Sequence, residues 1–348
     1  MPDNSNLLSK RKQEHLALCL SDKVSFREKT NGFENYDFRH FAITEIDMSK
    51  IDFSTVFFRK KISYPFLISC MTGGTSEAEN INARLAIAAK QLNIPIGVGS
   101  QRQAFENKQF HKSYKVIRKN APGIPVISNI GASQVAKLKK FDKLNYIADL
   151  IEADAMAVHV NPLQELNQEH GEPFFEGFLK TIENVVKHIE IPIIVKEVGA
   201  GISKKAAHKL LSAGVKGIDV AGAGGTSWAG VEILRNNGDI NNKFWDWGLP
   251  TSYCIRTVSK LKNDFDFTLI GSGGLTDGFD IAKSIALGAD ITASARIILL
   301  ELNKSGVEGV VKLIENWFEI VRKIMFLTNS KSISELNNKK IIRKEKLY

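Results

Sequence analysis

From Pro65 onward the chain repeats one pattern eight times, a short apolar run followed by a longer run of helical periodicity. No other feature constrains the fold as strongly. A strand followed by a covering helix, repeated in series, builds a parallel sheet whose faces are buried under helices. The candidate strands are 66–70, 94–99, 125–128, 155–160, 192–196, 217–221, 268–271 and 290–294. The segments 78–91, 112–120, 145–152, 174–188, 203–213, 252–262 and 277–287 are helical in pattern, and a further one covers 306–325. Turn residues precede several strands, as at Asn93-Ile94-Pro95, Pro122-Gly123 and Ala213-Gly214. Eight such units over about 260 residues suit a closed (β/α)8 TIM barrel of the α/β class. The competitor is an open doubly wound sheet. That fold calls for a G-x-G-x-x-G turn after its first strand, and Met71-Thr72-Gly73-Gly74-Thr75 is not that frame.

The expected organisation is an N-terminal extension over 1–64 packing on the barrel, the barrel itself over 65–327 and a basic C-terminal tail over 328–348. A long loop, 222–250, follows strand 6. It is Gly-rich at first and then carries Asn236-Asn237-Gly238 and Trp245-Asp246-Trp247-Gly248. Loops of that length inside a compact domain are more often functional or disordered than idle, and this one reads as a mobile lid.

Composition narrows the class of partner. The chain is 43% hydrophobic and 24% charged, as soluble globular proteins are. It has no run of eighteen apolar residues, and residues 1–12 are polar and basic, so neither a membrane span nor a secretory signal is expected. Cys19, Cys70 and Cys254 lie far apart, fitting a reducing cytoplasm better than a disulfide framework or a zinc site. The net charge is +9, with part of the excess at Lys10-Arg11-Lys12 and in the tail. Elsewhere basic and acidic residues alternate without an aromatic-basic stripe. A small anionic substrate explains such clusters, and neither nucleic acid nor a membrane is the expected partner.

In this fold the carboxyl ends of the strands build the site. The run after strand 4, His159-Val160-Asn161-Pro162-Leu163-Gln164-Glu165, is the densest. It places an imidazole, two carboxamides and a carboxylate past the apolar run Ala155-Met156-Ala157-Val158, and Pro162, lacking an N–H, stops the ladder there. The Gly-rich ends of strands 6 and 7, and the turn after strand 8, suit a phosphate, because glycine lets peptide N–H groups approach an anion. Lys196 ends an otherwise apolar strand. Its possible roles are a Schiff base, a counter-charge for a stable anion, or a structural pair with Glu197 or another carboxylate. With Met71, Thr72, Ser100 and Asn129 on the neighbouring strand ends, the set looks like a flavin mononucleotide barrel, with Lys196 at the ring edge where negative charge forms on reduction.

Six motifs together carry a specific resemblance. They are Arg11-Lys12-Gln13-Glu14-His15, Met71-Thr72-Gly73-Gly74, Gly99-Ser100-Gln101-Arg102, the His159–Glu165 run, Gly224-Gly225-Thr226-Ser227 and Gly271-Ser272-Gly273-Gly274. Over roughly residues 10–330 the chain closely resembles the type 2, flavin-dependent isopentenyl-diphosphate isomerases. The resemblance implies interconversion of isopentenyl and dimethylallyl diphosphate by flavin-assisted proton addition and elimination. It implies FMN and Mg2+ as cofactors, NADPH or NADH only to reduce the flavin, no net redox change, and a homotetramer or homo-octamer. Carried over by position, Gln164, His159 and Asn161 would act in catalysis. Arg11, Lys12, His15, Ser100, Gln101, Arg102 and Gln164 would bind substrate. Met71, Thr72, Gly73, Ser100, Asn129, Lys196, Thr226, Gly273, Gly274, Ala295 and Arg296 would hold FMN, and Glu165 would hold Mg2+. The alternative is an FMN-dependent 2-hydroxyacid oxidase or dehydrogenase on the same barrel. That chemistry needs a histidine base beside arginine late in the chain, where Arg296 is present but the last histidine is His208.

Overall fold

Eight parallel strands close into a barrel in the computed structural model, which describes residues 4–347. They are β1 Phe66–Ile68, β2 Ile96–Gly97, β3 Val126–Gly131, β4 Ala155–His159, β5 Ile193–Lys196, β6 Gly217–Asp219, β7 Thr268–Ser272 and β8 Ile291–Ser294. Closure comes from β8 against β1, with Thr292 opposite Phe66 and Ser294 opposite Ile68. The strand runs read from sequence are all present, six with shorter ladders, while β3 and β7 run on past the expected 128 and 271 to Gly131 and Ser272. After β2, for example, Val98 still bonds the Ile127 carbonyl, but the Gly99 N–H turns to Thr72.

The covering helices stand where the periodicity puts them, at Ser76–Leu92, Lys112–Asn120, Asp142–Asp149, Phe178–His188, Lys204–Ser212, Thr251–Val258 and Gly278–Ala286. Side-chain caps set three of the starts. Thr75 accepts from the Ala78 N–H, Ser203 from the Ala206 N–H and Asp277 from the Asp280 N–H. The fourth helix begins four residues later than its apolar pattern, because Gly177 holds φ +74° and cannot continue a helix. The last, Arg296–Leu327, is broken at Gly306 (φ +73°) and so contains the 306–325 helix as its second piece.

The far end of the barrel is plugged. An antiparallel hairpin, Thr55–Phe57 with Lys60–Ile62, inserts Phe57 and Ile62 among Leu67, Ile127, Ala157, Ile194 and Ile270. Both side chains are fully buried. Filling that end to interior density leaves the carboxyl ends of the strands as the open face.

The other segments differ from a bare extension, loop and tail. Helix Asn4–Cys19 crosses the open face, and Tyr36–Phe38 pairs antiparallel with Ile341–Arg343, so the tail supplies a strand to the N-terminal segment. The segment after β6 is not the loop expected. It holds a helix, Trp228–Arg235, started by the Ser227 hydroxyl accepting from the Gly230 N–H. The sequence signal was weak because the apolar run is short and has glycine inside it. Packing explains that glycine, since a Cβ on Gly230 would sit 2.6 Å from the Trp245 ring. Among the described residues no helix is long and apolar enough to cross a membrane.

Candidate active site

Strand register builds the floor. Gly131, His159, Lys196 and Asp219 stand side by side on β3 to β6, and neighbours in a parallel sheet project the same way about 4.8 Å apart. Lys196 Nζ meets Asp219 Oδ2 at 3.2 Å, so the partner of the lysine is Asp219 and not Glu197. Glu197 is instead buried and accepts from the peptide N–H groups of Val198, Gly199 and Ala200. His159 Nδ1 lies 2.9 Å from Asn129 Oδ1. Because Asn129 Nδ2 donates to the Val98 carbonyl, its oxygen must accept, and His159 carries its proton on Nδ1. Burial, helped by the Lys196 charge, pushes the imidazole down to about 4, so the ring is neutral near pH 7 and Nε2 is an acceptor.

Above this floor is a cavity of about 390 Å³, within the range of cofactor and small-ligand pockets. Met71, Thr72, Gly73, Ser100, Asn129 and Lys196 line one side, and Thr226, Gly273, Gly274, Ala295 and Arg296 the other. The loops after β6 and β7 pack backbone on backbone. A Cβ on Gly273 (φ +112°) would lie 2.2 Å from the Gly222 oxygen, and one on Gly225 would lie 2.6 Å from the Gly274 nitrogen. Peptide groups therefore border the cavity there, beside the first turn of helix Arg296–Leu327, whose N–H groups have no intrahelical acceptor.

Two expected residues do something else with their side chains. Gln101 is fully buried and does not line the cavity. Its oxygen accepts from Ser128 Oγ (2.6 Å) and the Asn129 N–H (3.1 Å), and its amide donates to the Ile147 carbonyl. Substrate contact by that carboxamide is thus corrected to bracing of Asn129. Arg296 lines the cavity, but its guanidinium straps the N-terminal segment down, bonding Cys19 O at 2.9 Å, Ser21 O at 2.5 Å and Ser25 Oγ at 3.2 Å.

The rim comes from helix Pro162–Asn167, helix Asn4–Cys19 and the insert after β6. Pro162, which ends the strand, opens this helix, because its fixed φ suits the first turn. Asn161 Nδ2 donates to Gln164 Oε1 (3.0 Å) and Glu165 Oε1 (3.2 Å), and Glu165 Oε2 accepts from the Glu172 N–H at 2.7 Å. Asn161 Oδ1 is buried with no partner among the described residues, and Asn161 lines the cavity, as an acceptor awaiting a ligand does.

Sequence reasoning missed the hub of the rim, Glu232. Its fully buried carboxylate accepts from His15 Nε2 (2.9 Å), Gln164 Nε2 (2.9 Å) and Arg235 (2.5 Å). Burial opposes its charge, but the bonds from His15 and Gln164 and the Arg235 charge outweigh it and hold its carboxyl below the usual range. Burial also lowers His15, so that contact is a neutral imidazole N–H donating to a carboxylate near pH 7. The Trp228 ring stands edge-on to His15 at 5.2 Å. The available signal was Glu232 itself, an acid on the apolar side of a helix in an insert read as loop. Arg11 shares this rim, lowered by burial and feeling the charges of Glu232, Arg102 and Glu165. Lys12 Nζ bonds the Gly73 carbonyl and, at 3.2 Å, Tyr114 Oη. Arg102 lies 3.6 Å from Glu172. Three cations and one carboxylate, Glu165, thus border the cavity mouth, the balance a diphosphate with a divalent cation requires. Among the described residues no three His, Cys, Asp or Glu side chains cluster to cage a metal by themselves.

The model of the FMN-dependent dehydrogenase family matches residues 5–113 and 126–343. An isopentenyl-diphosphate delta-isomerase of Pelodictyon phaeoclathratiforme is 43% identical over 97% of this chain and 97% of its own. One from Pyrococcus furiosus is 40% identical over 95% of this chain and 86% of its own. Among solved structures, the flavin-binding domain of baker's yeast flavocytochrome b2 superposes with a TM-score of 0.69 at 18% identity, covering 94% of this chain and 82% of that one.

Proposed function

The chain belongs to the FMN-dependent dehydrogenase family and, within it, to the isopentenyl-diphosphate delta-isomerases, and from that membership we propose how its site works. It is an enzyme that interconverts isopentenyl and dimethylallyl diphosphate on an FMN-binding barrel. The observation that carries the assignment of roles is the division of one cavity into two halves. A floor of neutral polar groups around the Lys196–Asp219 pair lies below, and a rim of Arg11, Lys12 and Arg102 around Glu165 lies above.

The residues present fit FMN. The glycine-walled loops after β6 and β7 and the helix start after β8 would take its phosphate. Thr72, Ser100 and Asn129 would bond its ring, and Lys196 would face the edge that gains negative charge. Bound there in its reduced form, FMN would supply acid–base chemistry for moving the double bond, with no net redox change. The chain does the rest. Arg11, Lys12 and Arg102 hold the diphosphate. Gln164, tied to Glu232, and Asn161 orient the alkene end. His159 stays neutral and presents Nε2 as an acceptor. Helix Asn4–Cys19 covers the mouth and keeps water from a carbocation-like transition state.

Glu165 would bind Mg2+ together with substrate phosphates. A single carboxylate suits that ion, which keeps its own waters and uses few protein ligands. NADPH or NADH would serve only to reduce the flavin. A cytoplasmic homotetramer or homo-octamer, divided as extension, barrel and basic tail, completes the reading. A 2-hydroxyacid oxidase draws no support from the site. The histidine base it needs beside a late arginine is missing, since the last histidine, His208, does not line the cavity, and Arg296 is spent on residues 19–25. The deciding measurement is the absorption spectrum of the purified protein, followed by anaerobic addition of NADPH, Mg2+ and isopentenyl diphosphate. A yellow protein that bleaches and then forms dimethylallyl diphosphate supports the reading. A colourless or inactive one overturns it.

A further inference from the structure

Asp219 has no part in the roles assigned above, yet it sits directly behind the cavity floor. It is 1% exposed, on the inner side of β6, in register with Lys196. Its two oxygens are used separately. Oδ2 takes the Lys196 ammonium at 3.2 Å, and Oδ1 takes Ser272 Oγ at 2.5 Å and the Ala221 N–H at 3.3 Å. Three consecutive strands thus fix one carboxylate, which fixes one ammonium. The barrel does not need such a pair for stability. Lys196 follows Ile193, Ile194 and Val195, and Asp219 follows Ile218, all buried. Replacing a buried ion pair by apolar side chains of like volume is often neutral or stabilising. Its presence on the floor of a cofactor cavity therefore points to the cofactor. Both charges reach the cavity wall. The thiol of Cys70, a lining residue, is pushed up to about 12 mainly by burial, with Lys196 pulling it down and Asp219 pushing it up.

We propose that Asp219, held by Ser272, is a positioning residue for Lys196, fixing where the ammonium stands and offsetting part of its charge, so that it sets how strongly the site favours reduced FMN. The proposal rests on the FMN reading and deepens it. Without Asp219 the floor carries one uncompensated positive charge, and the negatively charged reduced flavin becomes more favoured.

The test is the two-electron midpoint potential of bound FMN in the intact enzyme, with FMN counted per chain. Asp219→Asn can keep the Oδ1 acceptor for Ser272 Oγ and the Ala221 N–H, but it removes the charge and puts an amide NH2 where Oδ2 accepted from Lys196. It is expected to retain FMN and to shift the reduced-to-oxidised ratio toward reduced by about tenfold or more, or about 30 mV for two electrons. Ser272→Ala, which leaves the carboxylate its Lys196 and Ala221 partners, should shift it the same way by less. In a Lys196→Met background the Asp219→Asn shift should shrink severalfold, which a merely structural aspartate would not show. Parental potentials in both single variants, or an equal shift without Lys196, overturn the proposal. If Asp219→Asn does not fold, an unshifted Ser272→Ala overturns it. A parent enzyme that carries no FMN removes the cofactor reading itself, and this proposal with it.

Discussion

His15 and Glu232, 217 positions apart in the chain, meet at 2.9 Å between imidazole Nε2 and carboxylate Oε1. The bond joins the helix laid over the barrel mouth to the helix in the insert after β6. Gln164, from a third element, shares the same oxygen. Three segments of the rim therefore take their mutual positions from one buried carboxylate.

Glu232→Gln tests that hub. The variant keeps the shape but weakens three charge-assisted bonds. kcat/KM for isopentenyl diphosphate is expected to fall about a hundredfold, on the order of 3 kcal/mol, with FMN content unchanged. Steady-state kinetics with a flavin count decide it, and a parental kcat/KM would show that the network serves the fold alone.

His159 makes stability depend on pH. Its folded value of about 4 lies below its ordinary 6.5, so the unfolded chain binds the proton more readily. The stabilisation is fully present above pH 6.5 and is lost as the pH falls toward 4, by about 3 kcal/mol in total. His159→Gln should flatten the midpoint-versus-pH curve of denaturant unfolding across that window. A variant with the same acid slope as the parent would place the sensitivity elsewhere.

Glu165→Gln keeps an acceptor for the Glu172 N–H but lacks the charge a hard cation needs. Mg2+-dependent activity is expected to drop on the order of a hundredfold or more, since even outer-sphere partners of a metal cost nearly that much. The flavin spectrum should not change. An unaltered Mg2+ titration would remove Glu165 as the metal ligand.

Deleting residues 1–15 removes Arg11, Lys12 and His15, while the strap that Arg296 makes to Cys19, Ser21 and Ser25 stays in place. The truncated enzyme should fold and carry FMN. Its KM should rise strongly and kcat/KM fall about a hundredfold, from the loss of several charge-assisted phosphate contacts. Normal kinetics in this form would leave the diphosphate grip to Arg102 and the turn after β4.

The barrel was legible because its signals are local. Each strand run and each 3.6-residue apolar stripe is written in adjacent residues, and eight repeats leave one closed arrangement that buries them all. The chemistry at the strand ends was legible for the same reason, since His159, Asn161, Gln164 and Glu165 lie in one seven-residue run, and Lys196 breaks an apolar strand. What the sequence could not determine is pairing across distance. Nothing near Lys196 in the chain selects Asp219 over Glu197; the register of β5 on β6 does. Nothing near Gln101 says that its amide turns inward to brace Asn129, or near Arg296 that it faces the N-terminal strap. Those outcomes follow from which polar groups are left unsatisfied once the barrel closes, because a buried donor or acceptor must find a partner wherever the fold supplies one. Glu232 is the clearest case. On its own helix only Arg235, one turn on, answers its charge, and the approach of His15 and Gln164 from two other elements accounts for its burial.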